Sequence, residues 1–214
     1  MIFKNIKKNK RNTGMSYVEL IVVLSIFSIV TGTVIFNYQD FQKKVDLKNL
    51  GNDIALKFVE AQKNATSGEL PFGKIILDSP PLPAPWKPSY GIYFNGALGP
   101  NTGSQVFYYF TDLDQNKRFD ESYGCLIGEC IEKFTLTKEN YLADMTINYY
   151  QGPPDSVDTG ISLTFTRPDS VMTLNRSTDT SPILGVDYLE FRIEELSGVY
   201  VTIRIYSSGR IEMI

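Results

Sequence analysis

Histidine is absent from this 214-residue chain, cysteine occurs twice and tryptophan once. Without histidine, the commonest general base and the usual activator of a nucleophile are missing. No serine nucleophile motif and no glycine-rich phosphate loop takes their place. Paired carboxylates occur within residues 112–120 and at Glu194-Glu195, where a polar strand end accounts for them. The chain therefore reads as a non-enzyme with no catalytic residue and no required cofactor. Cys125 and Cys130 have no third cysteine and no histidine with which to complete a soft-metal site. In an oxidising compartment the two pair as a disulfide that clamps a small loop. Two free thiols or a two-ligand metal pair are the alternatives.

Two further absences are local. The first fourteen residues hold no acidic side chain, but they hold Lys4, Lys7, Lys8, Lys10 and Arg11. Residues 20–36 hold no charge of either sign, and Ile, Val, Leu and Phe dominate them. A basic head before an apolar run directs insertion into a membrane, with the lysines and arginine left in the cytoplasm. Residues 21–36 alone are short for a span, which takes about 20 residues. Residues 15–38 suffice, and they include Glu19, a carboxylate that costs free energy in lipid unless it is partnered. A cleaved secretory signal carries small residues after its apolar run. Thr31-Gly32-Thr33 fits that pattern poorly, and Gly14 lies before the run instead.

Gly14-Met15-Ser16-Tyr17-Val18-Glu19-Leu20-Ile21-Val22-Val23-Leu24 resembles the class III signal of type IV pilins and pseudopilins. The resemblance implies removal of a leader, residues 1–14, by a prepilin peptidase, followed by N-methylation of Met15. It also places Glu19 at the fifth position of the mature chain, where the family carries its assembly glutamate. The partner implied for that carboxylate is the amino group of a neighbouring subunit's first residue. Met stands where the family usually has Phe, and the proline many major pilins carry in this helix is absent. The implied partners are the peptidase, other pilin subunits through the N-terminal helix, and the membrane assembly machinery.

Beyond residue 39, Leu47, Leu50, Ile54, Phe58, Ala61 and Ala65 recur in steps of three and four. That spacing predicts one face of an α-helix. One helix is expected from about residue 16 to 66, with a membrane half over 15–38 and an amphipathic half over 39–66. Gly51 is expected to weaken it locally, and Ser67-Gly68 with Pro71 to end it. The grammar then changes to strands over residues 67–214. A short apolar stretch, 74–77, precedes Pro80, Pro81, Pro83, Pro85 and Pro88 around Trp86. Tyr90-Gly91-Ile92-Tyr93-Phe94 and Val106-Phe107-Tyr108-Tyr109-Phe110 read as strands by aromatic content. Period-two alternation marks Met145/Ile147/Tyr149, Ile161/Leu163/Phe165, Leu189/Phe191/Ile193 and Val199/Val201/Ile203/Ile205. The fold class is α+β: one long helix on an antiparallel β-sheet head of about eight strands. Tyr90-Gly91-Ile92-Tyr93-Phe94 and Ile205-Tyr206-Ser207-Ser208-Gly209-Arg210-Ile211 also resemble strands of the H-type minor pseudopilin, which implies the pilin fold.

Asp112, Asp114, Asn116 and Asp120 stand at positions 1, 3, 5 and 9 of a loop, with the Arg118 carbonyl at position 7. That spacing matches the first part of a calcium loop. Lys117 stands where glycine would ease the turn, and Tyr123 where a bidentate glutamate would close the shell. Glu121 is a nearby substitute. A polar turn between strands, without metal, is the alternative.

From residue 15 onward, 16 basic residues face 24 acidic ones, a net charge of −8. That balance gives no strong nucleic-acid signal. The chain is expected to be a single-pass membrane protein with a cytoplasmic leader and an extracytoplasmic head. A structural subunit of a surface pilus leads the readings, and the large head leans toward a minor one. A pseudopilin of a type II secretion or DNA-uptake system, and a membrane-anchored binding ectodomain that never polymerises, stay open.

Overall fold

The computed structural model describes residues 14–69, 87, 89–100, 105–120, 125, 128–137, 139–168, 171–179 and 181–214, without the side chains of Gln39 and Asp40. The basic residues 4–11, the stretch 74–77, the proline cluster with Trp86, and Glu121 and Tyr123 lie outside the described residues. The chain divides into two compact units, Met1–Gln42 and Lys43–Ile214.

The first unit carries the start of helix α1 (Tyr17–Ser67). Its apolar run is exposed almost throughout, with Ile21 46%, Phe27 67% and Phe36 74% accessible. So much contiguous apolar surface marks an interaction face rather than a solvated one. The helix is long and apolar enough to cross a membrane by length and composition. Its serines satisfy themselves. The Ser25 and Ser28 hydroxyls each donate to the carbonyl four residues back, Ile21 and Leu24, at 2.8 Å.

In the second unit the helical face is a core face. Leu47, Ile54, Phe58, Ala61 and Ala65 are all at most 3% exposed; Leu50 is only partly buried. The helix ends in a Schellman motif. Gly68 takes a φ of 69°, its N–H donates to the Ala65 carbonyl at 3.3 Å, and the Glu69 N–H to that of Asn64 at 3.2 Å.

Among the described residues ten strands follow: β1 (Ser89–Phe94), β2 (Val106–Thr111), β3 (Cys130–Thr135), β4 (Tyr141–Tyr149), β5 (Asp155–Ser156), β6 (Ile161–Thr166), β7 (Met172–Arg176), β8 (Val186–Glu194), β9 (Tyr200–Tyr206) and β10 (Ile211–Met213). They form two five-stranded antiparallel sheets, ordered β3-β2-β1-β6-β7 and β10-β9-β8-β4-β5. The α+β class stands, but the head is built from two sheets rather than one. Three strands escape the sequence pattern for different reasons. β3 is an edge strand with exposed Glu132 and Lys133, charges that protect an unpaired edge. β5 has two residues, and β7 alternates over only five.

Phe58 joins the layers. Its ring centroid lies 6.2 Å from Phe94 of β1 and 5.8 Å from Phe191 of β8, which are themselves 5.2 Å apart. Burying each such ring contributes about 1.5–3 kcal/mol. Gly51 has a packing role. It is buried, and a Cβ there would stand 3.0 Å from Met213 Sδ and 3.3 Å from a Val201 methyl. The helix thus sits against β9 and β10 closely enough to leave little room for a side chain. Gly51→Leu should destabilise the head by about 1–3 kcal/mol through overpacking. Calorimetry would register a melting point lower by about 2–4 °C per kcal/mol; an unchanged or raised value would contradict this packing.

Candidate functional site

Two places hold the residues singled out by sequence. At the N-terminus, Gly14 and Met15 precede the helix and are exposed. Nothing lies within 4 Å of where a Gly14 Cβ would stand. Glu19 occupies the first turn of α1 and is exposed. A carboxylate there complements the helix dipole by about 0.3–1 kcal/mol. That effect explains why the helix tolerates Glu19, but not its position at the lip of an uncharged run.

The second place is the loop after β2. It folds through its own side chains. The Asp114 carboxylate accepts from the Asn116 N–H at 3.0 Å and from Asn116 Nδ2 at 2.8 Å. Asn116 Oδ1 accepts from the Arg118 N–H at 2.6 Å, and Asp112 Oδ2 from the Lys117 N–H at 3.0 Å. Lys117 makes the turn without glycine, at a φ of 61°. Asn175 of β7 donates to the carbonyls of Asn116 at 3.3 Å and Lys117 at 3.1 Å.

Phe119 anchors the loop. Its ring lies 5.1 Å from Tyr93, 5.1 Å from Tyr108 and 5.4 Å from Phe110. Its N–H donates to Ser162 Oγ at 3.0 Å. With Cys130 these rings form a second small core on the sheet of β1, which is why β1 is buried at every residue. The cysteines are bonded to each other, with Cα atoms 4.5 Å apart.

The structure adds a carboxylate that sequence spacing did not show. Oxygens of Asp112, Asp114 and Glu129 lie within 4.8 Å of one another. Glu129 immediately precedes Cys130. Its Oε1 accepts from the Leu113 N–H at 2.9 Å and its Oε2 from the Asp120 N–H at 3.0 Å. Asp120 is not part of this three-carboxylate group; its Oδ2 accepts from Asn116 Nδ2 at 3.4 Å. Glu129 therefore offers the buried oxygens expected of a closing acidic residue. Asp112 and Glu129 are 1% and 5% exposed.

Burial pushes the Asp112 carboxyl up to about 7, with Asp114 adding repulsion, although backbone donors pull it down. Burial likewise pushes Glu129 up to about 8, against the pull of the Asp120 and Leu113 amides and with repulsion from Asp112 and Asp114. The amides thus compensate only part of the negative charge. Protons or a hard cation supply the rest. The three carboxylates form an all-oxygen donor set, which suits calcium and not a soft metal.

The outer face of the second sheet shows no comparable deficit. Arg204 pairs with Glu190 at 2.5 Å over the Tyr188 ring. Arg192 pairs with Glu194 at 3.7 Å over Tyr200, and Arg210 with Glu212 at 3.7 Å over Tyr206. Each of these guanidinium groups is matched by a carboxylate, so among the described residues the face offers no uncompensated row of cations to a phosphate backbone.

Comparison with protein-family models, with curated proteins and with solved structures finds no match.

Proposed function

We propose that the chain is a structural subunit, of the minor kind, of a type IV pilus-like surface filament, with a pilin fold. A prepilin peptidase removes residues 1–14, Met15 is methylated, and Glu19 meets the amino group of a neighbouring subunit during assembly. The observation that carries this reading is one register: Gly14 in open chain, Glu19 five residues later, and an uncharged helical run at residues 20–36. Two features support it. The apolar run stays exposed, as a segment must that packs first in lipid and then among other helices. The head has its own core from Leu47 to Ile205, so it needs nothing from that run to fold. Filaments sheared from cells should contain the mature chain. Its complete retention in the membrane fraction of filament-bearing cells would favour a membrane-anchored ectodomain that never polymerises.

Within the head, Asp112, Asp114 and Glu129 hold a structural calcium ion, which completes the charge compensation that the amides begin. A fragment starting at Lys43 should melt higher in calcium than in chelator. Calcium a hundredfold above its Kd adds about 2.7 kcal/mol, or on the order of 5–10 °C for a head of this size. Asp112→Ala with Asp114→Ala should abolish the shift. The effect depends on pH in a defined direction. Both carboxyl pKa values are raised in the fold, so the metal-free head holds protons that the unfolded chain has released. The stability these two groups contribute in chelator is therefore fully present below about pH 4 and is lost as pH rises through 7 to 8. The calcium shift should accordingly be larger at pH 8 than at pH 5. Superimposable melts with calcium and chelator at both pH values would make this an ordinary polar turn.

A further inference from the structure

An open groove in the second unit is lined by Lys44, Leu47 and Lys48 of α1, Val199, Tyr200 and Val201 at the start of β9, and Met213 with Ile214. From this groove we infer that the head seats against an anionic phospholipid surface; the inference rests on residues 20–36 spanning that membrane.

The charge at the groove runs against that of the chain. From residue 15 onward the net charge is −8, yet Lys43, Lys44 and Lys48 gather here within two helical turns. Lys43 is neutralised by Glu195, whose Oε1 lies 3.2 Å from its Nζ. Lys44 and Lys48 are exposed and make no ion pair among the described residues. The floor between them is apolar, and so is the rim. Tyr200 is 58% exposed and Ile214 60%, and Leu196 in the adjoining β8–β9 turn is 58% exposed. Tyrosine, lysine and aliphatic side chains together are the composition of a membrane–water interface. Lysine stems lie on apolar surface there while the ammonium groups reach the phosphates.

Covalent connection favours lipid over other occupants. Lys44 follows Tyr38 by six residues, so the chain holds it within about 22 Å of the end of the apolar run in any conformation. The headgroup layer itself is about 5–8 Å thick on each side. While the run spans the membrane an anionic surface is thus in reach, whereas a second copy of the chain must arrive by diffusion. Two lysines at such a surface correspond to a preference on the order of tenfold to thirtyfold over neutral lipid.

The test uses the full chain in vesicles, with a fluorophore on Ser197→Cys in the β8–β9 turn. The native cysteines are bonded to each other, so the label reports from one place. Quenching by headgroup-labelled lipid is compared in phosphatidylcholine alone and with roughly one-third phosphatidylglycerol. Stronger quenching is expected in the anionic vesicles. It should fall in about 0.5 M salt, where screening acts over a few ångströms, and in Lys44→Glu with Lys48→Glu. Flotation of the protein with carbonate-washed vesicles tests the span separately. A chain that does not float overturns the span and the inference with it. A chain that floats with equal quenching in both lipids overturns the inference alone. Quenching that follows the protein-to-lipid ratio rather than lipid charge overturns it in favour of a second copy.

Discussion

Glu19→Val is expected to leave the chain in the membrane and out of the filament. Removing a carboxylate from the lip of an apolar run takes away a group that lipid accepts at a cost of about 2.5–3.5 kcal/mol near the bilayer centre and less toward its edge. Insertion should therefore be unimpaired. Assembly is a different equilibrium. In the proposed assembly the carboxylate meets the charged amino terminus of a neighbour in a medium of low dielectric. Breaking one partner out of a buried charge pair costs about 3–5 kcal/mol, on the order of a hundredfold or more in incorporation. The fold should not change, because Glu19 is exposed and belongs to the unit without the head's core. The ratio of variant chains in sheared filaments to those in membranes is the readout. A ratio equal to that of the unaltered protein would remove the assembly role from Glu19.

Gly14→Val should be equally severe at an earlier step. The structure has nothing within 4 Å of a Cβ at this position, so valine meets no neighbour within the chain. In the proposed processing any effect then arises in the peptidase, whose site would have to admit the bond between Gly14 and Met15. The variant should accumulate in the membrane as a precursor still carrying Lys4, Lys7, Lys8, Lys10 and Arg11. Its larger mass is visible on a gel, and mature chain should be nearly absent. Normal processing of Gly14→Val would place the cleavage elsewhere.

What could be read from the sequence divides along physical lines. Local periodicity was legible. The three-and-four spacing that identified α1 identified its buried face as well, and alternation found β4, β6, β8 and β9. Partnership between distant segments was not legible. Nothing local distinguishes one sheet from two, because that depends on β1 pairing with β6 and β4 with β8. Gly51 looked like a weak point in the helix because the close approach of Met213 and Val201 is not encoded nearby. The loop at residues 112–120 shows the same limit within one site. Its Asp and Asn spacing was readable, whereas Glu129 arrives from the start of β3 through strand pairing. Two signals pointed toward the answer. Phe119 is an apolar residue among polar ones, as an anchoring ring would be. Glu129 adjoins a cysteine whose disulfide fixes the entry to β3.

The N-terminal residue of the protein isolated from cells tests the central claim most directly. Mass spectrometry of its N-terminal peptide should find a chain beginning at Met15 with a methylated amino group. A chain that retains residues 1–14, or one cut near Gly32, would contradict assignment to a pilus-like filament.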